Sequence, residues 1–142
     1  MRPATTVRLA CAAALAAALV LLPAAAASDR GLARLKIAER DFRIKAPKQV
    51  RAGEVELVVH NKGPDAHELI VVRVGPHELP LRSDGLTVDE EALDKREVAI
   101  LEPDGPGTTR KIRVDLAQGR YILFCNMSGH YLGGMHSLLV VH

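Results

Sequence analysis

Residues 121–141 read YILFCNMSGHYLGGMHSLLVV, which is two apolar runs separated by a glycine-containing segment. The first run ends at Cys125, and the second begins after Met135. Short runs rich in aliphatic and aromatic residues, bounded by turn residues, are typical of β-strands. The stretch therefore predicts two strands of one sheet, joined by a loop that carries Cys125, His130 and Met135.

Within this loop a thiol, an imidazole and a thioether follow one another at equal spacing. Four residues separate Cys125 from His130, and four separate His130 from Met135. Sulfur and imidazole ligands together select copper, and a Cys with His ligands and a weak Met is typical of an electron-transfer copper site. Such a site takes a second His, and His67 is the candidate because it begins another strand-like run. This prediction requires the strand that begins at His67 to lie beside the strand that ends at Cys125.

Each of these residues taken alone has an ordinary structural explanation. A free Cys is most often a small buried hydrophobic residue, and Met135 alone would fill the core. His67 and His130 alone would be a strand-end residue and a surface turn residue. Three ligands that suit a soft metal within residues 125–135, together with an upstream His, make a metal site the better interpretation.

The rest of the chain also reads as short strands between turns. Apolar alternations or β-branched runs occur near residues 35–37, 42–44, 55–59, 69–74, 98–101 and 112–116. The capping-box pattern from Thr87 to Glu90 predicts one short helix through about Asp94. The segment from Leu116 to Tyr121 resembles the corner of Greek-key sandwiches in which a Tyr hydroxyl binds nearby backbone. The sequence thus predicts an all-β Greek-key β-sandwich of about seven to eight strands with one short helix.

The N-terminal residues have the features of a cleavable secretory signal. Two arginines precede an apolar stretch from Leu9 to Leu22, and an alanine-rich segment follows up to Ala27. A basic region, an apolar region and a small-residue region in this order are typical of a signal peptide, and the apolar stretch is short for a membrane span. The chain is therefore predicted to consist of a signal peptide, residues 1–27, and one domain, residues 28–142, in the periplasm or outside the cell.

Charge and cysteine content narrow the functional classes. Without the two arginines of the signal, basic and acidic residues balance, so nucleic acid is not expected as a partner. Basic residues concentrate in residues 30–51 and acidic residues in residues 84–104, which is interpreted as two solvated faces. Export favours disulfides, yet the predicted domain holds Cys125 as its single Cys. An unpaired Cys in an exported protein calls for a special role such as metal binding.

The two candidate ligand segments together resemble a known family. The loop from Cys125 to Met135 resembles the ligand loop of type 1 copper proteins, the cupredoxins, and its spacing is similar to that of longer-loop members such as rusticyanin, auracyanin and sulfocyanin. The segment from Asn61 to Leu69 resembles the other ligand segment of that family. The resemblance implies a cupredoxin-like sandwich with one type 1 copper ion. It implies these ligands: His67, Cys125 and His130 in a trigonal arrangement, and Met135 as the weak axial ligand.

Two parts of the chain depart from the family pattern. Many cupredoxins carry Asn directly after the first His ligand, whereas this chain carries Glu68. Its carboxylate would either replace the hydrogen bond of that Asn to the Cys loop or lower the reduction potential through its charge. Residues 76–107 match nothing specific in the family and are interpreted as a variable insertion that contains the short helix.

The resemblance implies an exported blue copper protein that carries single electrons by the Cu(I)/Cu(II) couple and is not an enzyme. Redox protein partners, an electron donor and an acceptor, would dock near His130, Tyr131 and Leu132. Nucleic acid binding and stable membrane insertion after signal cleavage are not expected, and the domain is expected to be a monomer.

Three alternatives remain at this stage. The first is a periplasmic copper-binding protein for copper storage, delivery or resistance, which the ligands alone do not exclude. The second is an enzyme of the multicopper oxidase or nitrite reductase kind, which would need more coppers and more His than this single domain offers. The third is a Greek-key interaction module that binds no metal.

Overall fold

The computed structural model describes residues 31–75 and 79–142, which form a sandwich of two β-sheets. The described residues contain nine strands: β1 (Ala33–Arg40), β2 (Arg43–Lys45), β3 (Gln49–Val50), β4 (Gly53–Asn61), β5 (His67–Arg73), β6 (Glu97–Asp104), β7 (Thr109–Leu116), β8 (Gly119–Phe124) and β9 (His136–Val141). The predicted all-β sandwich is confirmed. The strand that the sequence did not reveal is β3, which is only two residues long.

The order of the strands brings the candidate ligand segments together. The first sheet has the order β2-β1-β4-β7, and the second has the order β3-β9-β8-β5-β6. In the second sheet β5 is antiparallel to β8, with Ile70 opposite Phe124, and β8 is antiparallel to β9. The start of β5, at His67, therefore lies beside the end of β8. This confirms the adjacency that the predicted site required.

The second sheet is buried on both faces around β5 and the end of β8. Its inner face packs on the first sheet, where Leu35, Leu57 and Val59 are buried. Its outer face carries Ile70, Val72 and Phe124, which are covered by these buried residues of the segment before β6: Leu79, Val88 and Leu93. Burial on both faces explains why β5 reads as a continuous apolar run rather than an alternating one.

The short helical element lies later than the capping-box pattern predicted. The helical element in the described part of the chain is a 3-10 helix, Asp94–Arg96. Asp84 Oδ1 accepts hydrogen bonds from the amides of Leu86 (2.7 Å) and Thr87 (3.0 Å). The Val88 amide donates to the side chain of Asn126, in the loop after β8. The predicted helix from Thr87 is wrong in its position because these side chains hold the segment as a turn.

Two other predictions concern the corner before β8 and the N-terminal segment. The Tyr121 hydroxyl donates a hydrogen bond of 2.8 Å to the carbonyl of Ala117, so the predicted corner is confirmed. The predicted signal peptide, residues 1–27, lies outside the described residues and stays a prediction. Among the described residues there is no helix of the length and apolar character that a membrane span needs.

Candidate metal centre

Three side chains with metal-ligand atoms meet at one end of the sandwich. His67 is the first residue of β5, Cys125 directly follows β8, and His130 lies in the loop between β8 and β9. Their ligand atoms all lie within 4.8 Å of one another, and Cys125 Sγ lies 3.6 Å from His130 Nδ1. His67 and Cys125 are fully buried, and His130 is 8% exposed. Met135, directly before β9, is also fully buried and lies near them.

The loop that carries Cys125, His130 and Met135 is fixed by its own backbone hydrogen bonds. The Cys125 amide donates to the carbonyl of Met135 (3.1 Å), and the Met135 amide donates to the carbonyl of His130 (3.0 Å). The loop turns at Gly129 (φ +77°) and Gly134 (φ +100°), where a side chain would be strained. The three side chains are therefore held in place by the fold itself.

The imidazole of His67 is in the neutral form that a metal ligand requires. Burial lowers the pKa of its imidazole, against the opposing charge of Asp41, so the ring is neutral near pH 7. The Asp41 carboxylate lies 2.9 Å from His67 Nε2, although the contact does not have hydrogen-bond geometry. His67 Nδ1 is buried without a hydrogen-bond partner. A buried imidazole nitrogen without a partner beside a thiol fits a metal site, because coordination would satisfy it.

Cys125 is protonated at neutral pH unless a cation binds it. Burial raises the pKa of the thiol to about 11, although the backbone amides of Glu68 and Met127 lower it. A bound metal ion deprotonates a coordinating thiol, and the same two amides would then face a thiolate. A buried thiol beside a neutral imidazole is a donor set that suits copper.

Glu68 takes the first of the two roles that the sequence left open. Its carboxylate Oε1 accepts a hydrogen bond of 3.1 Å from the backbone amide of Asn126. The pKa of Glu68 is raised, mainly by burial and next by the nearby Glu90. The carboxylate therefore replaces the hydrogen bond that an Asn at this position would make to the Cys loop.

The insertion contacts the ligand loop in a way that sequence reasoning missed. Asn126 Oδ1 accepts from the amide of Val88 (2.6 Å), and its Nδ2 donates to the carbonyl of Val88 (3.0 Å) and to Glu90 Oε1 (2.6 Å). The Gly129 amide donates to the carbonyl of Leu86 (3.2 Å). Residues 86–90 thus hold both sides of the turn that precedes His130. No spacing in the sequence signals this contact.

Phe42 is the second feature that the sequence did not place correctly. It was predicted to lie in a strand, but β1 ends at Arg40 and β2 begins at Arg43, so Phe42 lies in the turn between them. Its side chain is 50% exposed, and its ring meets the His130 ring edge-on with 5.2 Å between the centroids. A strand interior would have turned Phe42 into the core or onto the sheet surface, whereas the turn places its ring against the ring of His130.

Comparison with solved structures identifies the fold. The chain is similar to reduced auracyanin from Roseiflexus castenholzii, with 22% identity over 79% of this chain and 99% of that one and a TM-score of 0.60. It is also similar to auracyanin A, a "blue" copper protein from Chloroflexus aurantiacus (18% identity, 79% and 100% covered, TM-score 0.58). Rusticyanin from Thiobacillus ferrooxidans is a further neighbour (14% identity, 77% of each chain covered, TM-score 0.55).

These neighbours are all cupredoxins, so the predicted cupredoxin resemblance is confirmed for the fold. No protein-family model matches the chain, and no curated protein was found with a similar sequence. The His67, Cys125 and His130 cluster, with Met135 nearby, fits a type 1 copper site.

Proposed function

We propose that this protein is a blue copper electron carrier in which His67, Cys125 and His130 are trigonal copper ligands and Met135 is the weak axial ligand. One observation carries the proposal. Two buried imidazoles and a buried thiol lie at the end of a cupredoxin-type sandwich, with their ligand atoms within 4.8 Å of one another. Copper bound there would supply the Cu(I)/Cu(II) couple. The proposal needs no catalytic residue, and it assigns no enzymatic activity.

The chain's own contribution is a rigid and dry site. Backbone hydrogen bonds hold the ligand loop, the bond from Asn126 to Glu68 holds the segment after Cys125, and Asp41 faces the outer nitrogen of His67. Side chains that are already in position change little when the charge of the site changes, which favours rapid transfer of an electron. Burial of the site excludes water from the thiol.

The route for the electron leads through the exposed side of the ligand loop. His130 is the candidate ligand nearest to solvent, and Leu132, two residues further, is 51% exposed. We place the docking of redox partners near His130, Tyr131 and Leu132, since electron-transfer encounters use small surfaces. The proposal includes export by the signal peptide, residues 1–27, to the periplasm or the outside, and a monomeric domain, residues 28–142.

Optical and EPR spectra of the copper-loaded domain test this function. An intense visible thiolate-to-copper band and one copper per chain are expected, and Cys125→Ser should abolish the band. Ser128→Ala is the matched control, because Ser128 lies in the same loop but is exposed. Tight copper binding without the band would favour storage or delivery instead, and more than one tightly bound copper would favour an oxidase-type enzyme.

A further inference from the structure

A cluster of unpaired basic side chains lies next to the exposed side of the metal centre. We call it the basic rim, and it consists of Lys36, Arg40, Arg43, Lys45 and Lys62. They line two neighbouring depressions that share Lys45 and Lys62. All five side chains are exposed, and none of them forms an ion pair within residues 31–75 and 79–142. A cluster of like charges without ion-pair partners does not stabilise the fold. We therefore look for a function of the rim in binding another molecule.

Phe42 connects the basic rim to the candidate copper ligands. It lies in the turn between Arg40 and Arg43, and it lines one of the two depressions. One side of its ring meets the ring of His130, and half of the side chain is open to solvent. A molecule seated on the rim would therefore touch Phe42 and come within one aromatic ring of His130.

The charges on the two sides of the ligand loop have opposite sign. The rim belongs to the β1–β2 edge of the first sheet. The acidic residues near it are Glu39, which is buried and paired with Arg110, Asp41, which faces His67, and Asp65. The insertion on the other side, over the outer face of the second sheet, is acidic, with Glu90 bonded to Asn126. A partner with negative charge would be attracted to one side of the loop and repelled by the other, which fixes its orientation.

We propose that the basic rim, together with Phe42 and Leu132, is the docking surface for an acidic redox protein. Carboxylates of the partner would face Lys45 and Lys62, while its redox cofactor would approach Phe42 and His130. The inference rests on the proposed electron-carrier function and adds to it the charge of the partner and the side from which it approaches.

Electron transfer with small charged probes tests the sign of the surface. In the copper-loaded protein, Lys45→Glu/Lys62→Glu should slow oxidation by the anion ferricyanide about tenfold at low salt, the low end of electrostatic steering. The same variant should speed oxidation by the cation tris(phenanthroline)cobalt(III). Both effects should fade as ionic strength rises.

The matched control is Arg51→Glu/Arg120→Glu, which changes the net charge equally. Both residues are exposed, and they lie near the start of β8, at the end of the sandwich opposite Cys125. The control should keep its ferricyanide rate close to that of the wild type. An equal loss in both variants would mean that net charge alone acts, and it would overturn the docking surface.

Binding separates this inference from the proposed function, because it needs no copper. Titration with flavodoxin, an acidic redox protein, should shift NMR signals of the rim and of Phe42 in both metal-free and copper-loaded protein, and salt should weaken the binding. If the protein binds flavodoxin but takes up no copper, the electron-carrier function would be wrong and the docking surface would still stand. Binding to phosphatidylserine vesicles through Lys45 and Lys62, with none to flavodoxin, would overturn the assignment to a protein partner.

Discussion

The carboxylate of Glu68 accepts a hydrogen bond of 3.1 Å from the backbone amide of Asn126, so the residue after one candidate ligand holds the residue after another. The regular pairing of β5 with β8 ends at Ile70 and Phe124. Continuing that antiparallel register would bring Glu68 opposite Asn126, beyond the last paired residues. A side chain thus extends the sheet to the point where His67 and Cys125 meet.

Two substitutions of Glu68 should separate its charge from its hydrogen bond. Glu68→Gln keeps an acceptor for the Asn126 amide, so the EPR spectrum and the stability should change little. The reduction potential should rise where the carboxylate is ionised, because losing a negative charge near the site disfavours Cu(II) relative to Cu(I). Glu68→Ala leaves a buried amide unpaired and should lower the free energy of unfolding by about 1–3 kcal/mol.

Potentiometric titration and urea unfolding measure the two effects. An unchanged potential in Glu68→Gln at a pH where the wild-type carboxylate is ionised would show that the charge does not act on the site. Equal stability of Glu68→Ala and Glu68→Gln would contradict the structural importance of the hydrogen bond.

Asn126→Ala should loosen the contact between the insertion and the ligand loop. The substitution leaves the amide and the carbonyl of the buried residue Val88 without partners, which should cost about 1–3 kcal/mol of unfolding free energy. The EPR spectrum of the copper-loaded protein should also become heterogeneous, because the segment after Cys125 loses one of its two anchors. Ser128→Ala, in the same loop but exposed, should change neither measurement. A uniform, wild-type spectrum in Asn126→Ala would mean that the insertion only covers the sheet.

The sequence predicted the parts of the site that depend on local pattern. Short apolar runs located β5, β8 and β9, and the ligand spacing located Cys125, His130 and Met135 on one loop. These features repeat within a few residues, so they are visible in the sequence. The role of Glu68 was narrowed to two alternatives by the family resemblance, because many cupredoxins carry Asn at this position.

The missed parts depend on contacts between distant segments. The bonds of Asn126 to Val88 and Glu90 join residues that lie far apart in the chain, and no local signal marks them. Because the Val88 amide donates to Asn126 Oδ1, it is not available for a hydrogen bond within the helix that the capping box predicted. This tertiary contact overrode the local helix propensity. Phe42 was misplaced because one residue decides whether it lies in a strand or in the turn between two strands.

Gly133→Ala should move Phe42 away from His130. A Cβ at position 133 would lie 2.7 Å from Phe42 Cδ1 and 3.0 Å from Phe42 Cγ, so the ring must shift. Gly133 does not have a positive φ, so Ala causes no φ strain there, and the carbonyl oxygen of Gly129, 3.2 Å from the added Cβ, needs to give by only a few tenths of an ångström. We expect a larger solvent exposure of His130, measured as faster exchange of its ring N–H in NMR, with the visible band retained.

Gly105→Ala is the matched control, because a Cβ there meets no atom within 4 Å and φ is not positive. It should leave both the exchange and the spectrum unchanged. If Gly133→Ala also leaves the His130 exchange unchanged, then Phe42 does not shield the ring.

Glu39 should make the protein less stable as the pH rises. Its side chain is fully buried, and burial raises its pKa from 4.5 to about 7, more than Arg110 lowers it, while the charge of Glu68 adds to the increase. Its Oε2 pairs with Arg110, but its Oε1 has no hydrogen-bond partner.

The folded protein therefore binds a proton that the unfolded chain releases near pH 4.5. Stability from this group is complete below pH 4.5 and is lost as the pH rises to about 7, by about 3 kcal/mol at most.

Urea unfolding between pH 4.5 and 8 measures this loss, and Glu39→Gln should remove it. Gln keeps an acceptor for Arg110 and cannot ionise, so the unfolding free energy of the variant should fall less with pH than that of the wild type. The difference between the two proteins isolates Glu39, because Glu68 titrates in both. Glu54→Gln, which changes an exposed carboxylate on β4, should keep the wild-type slope. A Glu39→Gln protein with the wild-type slope would show that Arg110 keeps Glu39 ionised in the folded state throughout this range.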